Sequence, residues 1–192
     1  MSERTDIKRA HILAGAREVF LKKGFRSVTM KDIADAAGIS RGGLYLYYRS
    51  TEEIFLDVLK QEESEEDTGF EERLSSTRSA KEMLALVLAE QKKELLAEGD
   101  LTEASYELAF SGSESGRAAL TERFEKAAEV MKYLLRRGIR SGEFRRTDPE
   151  ETARQIMLII EGLRIGTRTM QVTEEMIDEQ LRRIMQQLLS ED

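Results

Sequence analysis

Apolar residues return along this chain every three or four positions and nowhere alternate strictly, so the pattern predicts helices and no strand. Ile12, Leu13, Ala16, Val19 and Phe20 make a stripe of helical period that stops at Gly24, after which Phe25 turns back toward the core. Thr29 is a good N-cap with Asp32 three residues on, and Met30, Ile33, Ala34 and Ala37 form the next stripe before Gly38 ends it. Ser40 caps a third short helix two residues later, which leaves room for a tight turn and gives a helix-turn-helix layout. A fourth helix is predicted from Ser50 or Thr51, with Ile54, Phe55, Val58 and Leu59 inward. It runs into EESEEDTGFEE at 62–72, seven acids and no base, expected as a solvated helix end or loop. Further helices are expected near 80–97, 101–111, 116–141, 148–167 and 173–189. Gly99, Gly112 and Gly142 mark stops, and Asp148 before Pro149 marks a start. The expectation is an all-α fold of about nine helices.

Two of these helices carry more apolar surface than one chain's core asks for. The run IMLII at 156–160 is apolar on every side, and Ile177, Leu181, Ile184 and Leu188 repeat at spacings of 4, 3 and 4, a bundle seam. Ile156, Ile160 and Leu163 with Ile177, Leu181, Ile184 and Leu188 are therefore expected at a homodimer interface.

Composition removes several classes of function. The 192 residues contain no cysteine and one histidine, His11, so neither a thiolate site nor an imidazole cluster can form. His11 is expected on a surface or in helix packing. No glycine-rich phosphate loop or metal-ligand spacing occurs, so neither an enzyme nor a cofactor is expected. No apolar run approaches the roughly 18 residues of a membrane span, and no apolar leader is evident, so the expected location is the cytoplasm.

The net charge of −7 would argue against a nucleic-acid partner, but it is unevenly spread. Residues 1–50 hold ten Lys and Arg against five acids, +5, which leaves −12 for residues 51–192. A basic head on an acidic body is oriented by a phosphate backbone before any specific contact forms. The expected division is a DNA-binding domain at 1–50 and a second helical domain at 51–192.

The stretch SRGGLYLYY at 40–48 sharpens this. Each glycine costs roughly 1 kcal/mol against alanine in a helix, so Gly42 and Gly43 suggest that something must come close to the backbone. Leu44 and Tyr48 lie four apart and face inward, which turns Arg41 with Tyr45, and Gly42 with Leu46, outward. Arg41 can offer a fork to guanine O6 and N7 in the major groove, where recognition helices use their N-terminal residues. Tyr45, Tyr47, Ser40 and Thr29 can give hydroxyls to phosphate oxygens.

Residues 12–55, ILAGAREVFLKKGFRSVTMKDIADAAGISRGGLYLYYRSTEEIF, closely resemble the N-terminal domain of the tetracycline-repressor (TetR) family. The shared pattern falls on Phe20, Gly24, Phe25, Thr29, Ile33, Ala34, Ala37, Gly38, Ile39, Ser40, Gly42, Leu44, Tyr45, Tyr47 and Tyr48. The resemblance implies a dimeric, ligand-responsive transcriptional regulator, usually a repressor, whose C-terminal helices bind an unknown small-molecule effector and dimerise. It implies base contacts from Arg41, Gly42, Tyr45 and Leu46, and phosphate contacts from Thr29, Ser40 and Tyr47. Two positions depart from the pattern: the usual closing Phe is Tyr48, and the Lys common at the start of the fourth helix is Thr51, where Arg49 stands in as a neighbouring cation. An effector pocket of the family kind would draw on Met83, Val87, Tyr106, Phe110, Phe124 and Met131, with Tyr106 as the polar handle. The double-stranded operator would be palindromic, with half-sites roughly 34–36 Å apart or a multiple of that.

Overall fold

The computed structural model describes residues 3–76 and 79–189, with side chains at 5–63 and 79–189. Among the described residues there are nine helices: α1 (Glu3–Lys23), α2 (Met30–Ala36), α3 (Arg41–Tyr45), α4 (Thr51–Ser76), α5 (Ala80–Leu96), α6 (Thr102–Phe110), α7 (Glu114–Ser141), α8 (Pro149–Thr169) and α9 (Glu174–Leu188). The fold is all-α, and the acidic run lies within a helix rather than a loop, since α4 continues to Ser76. The side chains of that run from 64 onward lie outside the described residues. None of the described helices is long and apolar enough to cross a membrane.

The packing divides the chain into two compact units, Met1–Thr68 with Gly99–Thr121, and Gly69–Glu98 with Glu122–Asp192. The first unit is larger than the head expected to end at residue 50. The helices α1 to α3 do not close a core alone, and Ile54, Phe55 and Val58 of α4 with Leu101, Ala104 and Leu108 complete the one begun by Ile12, Ala16 and Phe20. Phe20 meets Phe55 edge-on at 4.7 Å, and Phe25 lies 5.4 Å from Phe55. Gly15 lets α1 lie directly on the end of α2, because a Cβ there would sit 3.0 Å from the Ala37 nitrogen. His11 is exposed on α1.

In the second unit Leu84 and Leu88 of α5, Met131 and Leu134 of α7, and the inner stripes of α8 and α9 form one apolar core. This corrects the interface expectation. Ile156, Ile160, Ile177, Leu181, Ile184 and Leu188 are buried within the chain's own core, and Leu163 packs against it in part. The 4-3-4 spacing is a true seam, but its partners are helices of the same chain. What α8 and α9 leave outside is a different set: Leu158 at 60%, Ile165 at 37% and Met176 at 51% exposure. Ile159, Gly162, Leu163 and Met176 line an open depression there.

Polar contacts tie the same unit together. Arg164, buried on α8, donates from Nη2 to Gln91 Oε1 at 3.0 Å and to Glu94 Oε2 at 3.1 Å. Arg168 donates to the free carbonyls of Leu95 and Ala97 at the end of α5. Glu143 sits at the other end of α5, accepting from Ser79 Oγ (2.5 Å), Lys81 N (3.0 Å) and Ser141 Oγ (2.7 Å). These bonds, Ser79 first, bring the Glu143 carboxyl down to about 2 from its ordinary 4.5. A carboxyl whose folded pKa is depressed stabilises fully above its unfolded value, so this contribution is lost as pH falls from about 4.5 toward 2. Glu143→Gln is therefore expected to narrow the difference in thermal midpoint between pH 7 and pH 3, read by circular dichroism.

Candidate nucleic-acid interface

The turn between α2 and α3 is built from local caps. Thr29 accepts from Asp32 N at 3.3 Å while Asp32 Oδ2 accepts from Thr29 N at 2.9 Å, the reciprocal capping box that the sequence predicts. Thr29 Oγ1 also donates its proton to Asp32 Oδ2 at 2.7 Å. That hydroxyl is thus engaged within the fold, and an incoming phosphate would have to compete with Asp32 for it. Lys23 Nζ lies 2.7 Å from Asp32 Oδ1, and Lys23 first, then Thr29, hold the Asp32 carboxyl far below the usual carboxylate range. At the other end of α2 Gly38, with φ of +62°, donates to Asp35 O, and Ile39 N donates to Ala34 O, a Schellman closure.

Ser40 then opens α3, its Oγ accepting from Gly43 N at 3.0 Å. The two glycines differ. A Cβ on Gly43 would sit 3.2 Å from Ser40 Oγ, so its bareness serves the cap, whereas a Cβ on Gly42 would meet nothing within 4 Å. Nothing inside the fold requires Gly42 to be bare. Gly42→Ala is therefore expected to raise stability by roughly 0.5–1 kcal/mol in denaturant unfolding while weakening DNA binding. Equal affinity for the variant and the parent would remove the reason given for that glycine.

Leu44 and Tyr48 are fully buried, and Arg41, Gly42, Tyr45, Leu46 and Arg49 are exposed, as are Thr29 and Ser40. Tyr47 and Gly43 are half-buried. Leu46 is 84% exposed, an unusual state for an aliphatic side chain flanked by two tyrosines. Tyr48 carries the departure from the family pattern, and its hydroxyl has partners. Arg9 Nε donates to Tyr48 Oη at 2.9 Å, Tyr48 Oη donates to Asp57 Oδ2 at 3.0 Å, and Arg9 Nη2 pairs with the same carboxylate. Burial, the main cause, pushes the Tyr48 hydroxyl up to about 12. Sequence reading missed Arg9 and Asp57. The available signal was the tyrosine itself, since a buried phenol needs a partner.

The six residues suggested for an effector pocket divide between the two units. Met83, Val87 and Met131 are closed into the core of the second unit, with Phe124 packed against it. Tyr106 and Phe110 belong to the first unit, their rings 6.3 Å apart, with Phe110 77% exposed. Helical spacing places both on one face of α6, but the buried stripe of that helix is Thr102, Ala104, Ser105, Leu108 and Ala109, and Phe110 stands outside it.

The model of bacterial regulatory proteins of the tetR family matches residues 12–58, which span α2, the turn and α3. Beyond that segment, the HTH-type transcriptional regulator YfiR of Bacillus subtilis is 33% identical over 165 residues, 81% of this chain and 77% of that protein. The chain belongs to the TetR family. As a TetR-family member it is a DNA-binding transcription regulator and not an enzyme. The fatty acid metabolism regulator protein of B. subtilis is 28% identical over 151 residues, 78% of this chain and 77% of that one. A transcriptional regulator from Saccharomonospora viridis, solved in complex with choline, shares the fold with a TM-score of 0.82 at 20% identity, over 95% of this chain and 98% of that one.

Proposed function

We propose that this TetR-family regulator is a cytoplasmic repressor that binds a palindromic operator as a homodimer and leaves it when a small molecule binds the C-terminal helices. The observation that carries the DNA half of this reading is the two-sidedness of α3, with Leu44 and Tyr48 inward and Arg41, Gly42, Tyr45 and Leu46 outward. In this reading Arg41 and its outward neighbours meet base edges, while Ser40, Tyr47 and Arg49 meet phosphates. The depression lined by Ile159, Leu163 and Met176, with Leu158 exposed next to Ile159 in the chain, supports the homodimer, because an apolar patch marks an interaction surface where single exposed apolar side chains do not. Choline and fatty acyl compounds are the first effectors to try, as the former is bound in a protein of the same fold and a relative regulates fatty acid metabolism.

A reporter placed behind a promoter overlapping the preferred duplex tests the sign of regulation. Expression should fall when the protein is supplied and recover on adding an effector that releases the duplex in vitro; a rise on supplying the protein would make it an activator. Light scattering of the free protein should report twice the chain mass, and Met176→Arg should halve it. A monomeric parent protein would remove the dimer.

A further inference from the structure

We propose that Arg9, Tyr48 and Asp57 form a positioning triad that sets the orientation of α3, through the shared bonds of Tyr48 Oη with Arg9 Nε and Asp57 Oδ2. The proposal deepens the reading of α3 as the element that meets base edges and rests on it.

The recognition helix is poorly held by packing. It spans five residues, Arg41–Tyr45, two of them glycines, and Leu44 and Tyr48 are the fully buried side chains that anchor it and the turn after it. Apolar burial is non-directional, so two such anchors leave a short helix free to rock about the line between them. The hydroxyl of Tyr48 removes that freedom. It sits at the far edge of a fully buried ring and is bonded on one side to α1, through Arg9, and on the other to α4, through Asp57.

Both bonds involve an ionised partner, and such bonds are short, directional and roughly twice as strong as neutral ones. Arg9 also pairs directly with Asp57, so the cation and the carboxylate are fixed with respect to each other before the phenol joins them. A phenylalanine would fill the same space in the core and lack both bonds. The tyrosine that departs from the family pattern is thus coupled to two residues that lie 39 and 9 positions away. None of the three needs to touch DNA for this role. They act through the placement of Arg41 and its neighbours, where an error of about 1 Å is enough to lose on the order of tenfold or more.

The test uses the full chain, the tightest duplex recovered from a random pool and a scrambled duplex of the same composition, with affinities read by fluorescence anisotropy at one salt concentration. Tyr48→Phe should lower the ratio of the two affinities about tenfold, leave the scrambled duplex bound as before, and move the thermal midpoint by only a few degrees. Asp57→Asn should do the same, and the double variant should lose little more than either single one. An unchanged ratio, or equal weakening on both duplexes, would overturn the triad. Arg41→Ala is measured alongside. If it lowers the ratio while Tyr48→Phe does not, the triad alone is refuted; if neither does, α3 is not the reader and the proposal falls with that reading.

Discussion

Arg41→Ala is expected to cost roughly 1–3 kcal/mol of discrimination and to relax one base position in each half-site while the others keep their preference. The side chain stands at the first position of α3 on its exposed face, beside a glycine with open space above it. A guanidinium so placed can present two parallel donors to one guanine, and alanine leaves those acceptors without partners. Stability should hardly move, because the position is solvent-exposed and the Ser40 cap remains. Tyr47→Phe is the contrast. Loss of a phosphate contact should weaken every duplex alike, so anisotropy on a set of single-base variants separates the two roles. Uniform loss for Arg41→Ala would move that arginine to the backbone.

Gly138→Ala should bring the largest loss of stability. A Cβ at 138 would lie 2.0 Å from Phe144 Cδ2 and 2.4 Å from Cε2, inside any tolerable contact. Phe144 is buried, its amide donates to the Gly138 carbonyl at 3.0 Å, and its backbone bridges to Leu189. The ring lies in the packed core of its unit, so it cannot move aside without displacing its neighbours there. Overpacking costs about 1–3 kcal/mol and evicting a buried phenylalanine about 3–5, so the variant should fall in or between these ranges in urea unfolding. Phe144→Ala alone creates a cavity, and adding Gly138→Ala to it should cost little more, since the clash has gone. A single Gly138→Ala variant unfolding at the parent midpoint would contradict the packing described.

The basis of the first prediction was within reach of the sequence, and that of the second was not. The α2–turn–α3 segment is legible because its caps are local: Thr29 with Asp32, Gly38 and Ser40 act within three residues of the ends they close. The inward pair Leu44 and Tyr48 follows from helical spacing alone. Periodicity identifies a buried face but not what buries it, which is why the stripe of α9 reads equally well as a dimer seam and as a core helix. The same ambiguity hid the outer set around Leu158 and Met176. Contacts distant in sequence left no local mark. Arg9 is 48 residues from Asp57, and Gly138 looks like any helical glycine until the ring of Phe144 stands over it. The extent of the first unit was hidden for a like reason, because Leu101, Ala104 and Leu108 reach its core from beyond α5.

The central claim is that a two-sided α3, presented twice by a dimer, selects a sequence in duplex DNA. Selection from a random pool of duplexes at one stated salt concentration measures this directly. The expected result is a two-fold symmetric motif whose half-sites are about one helical turn apart, roughly 34–36 Å, or a multiple of it. A pool that emerges with no sequence preference would contradict it.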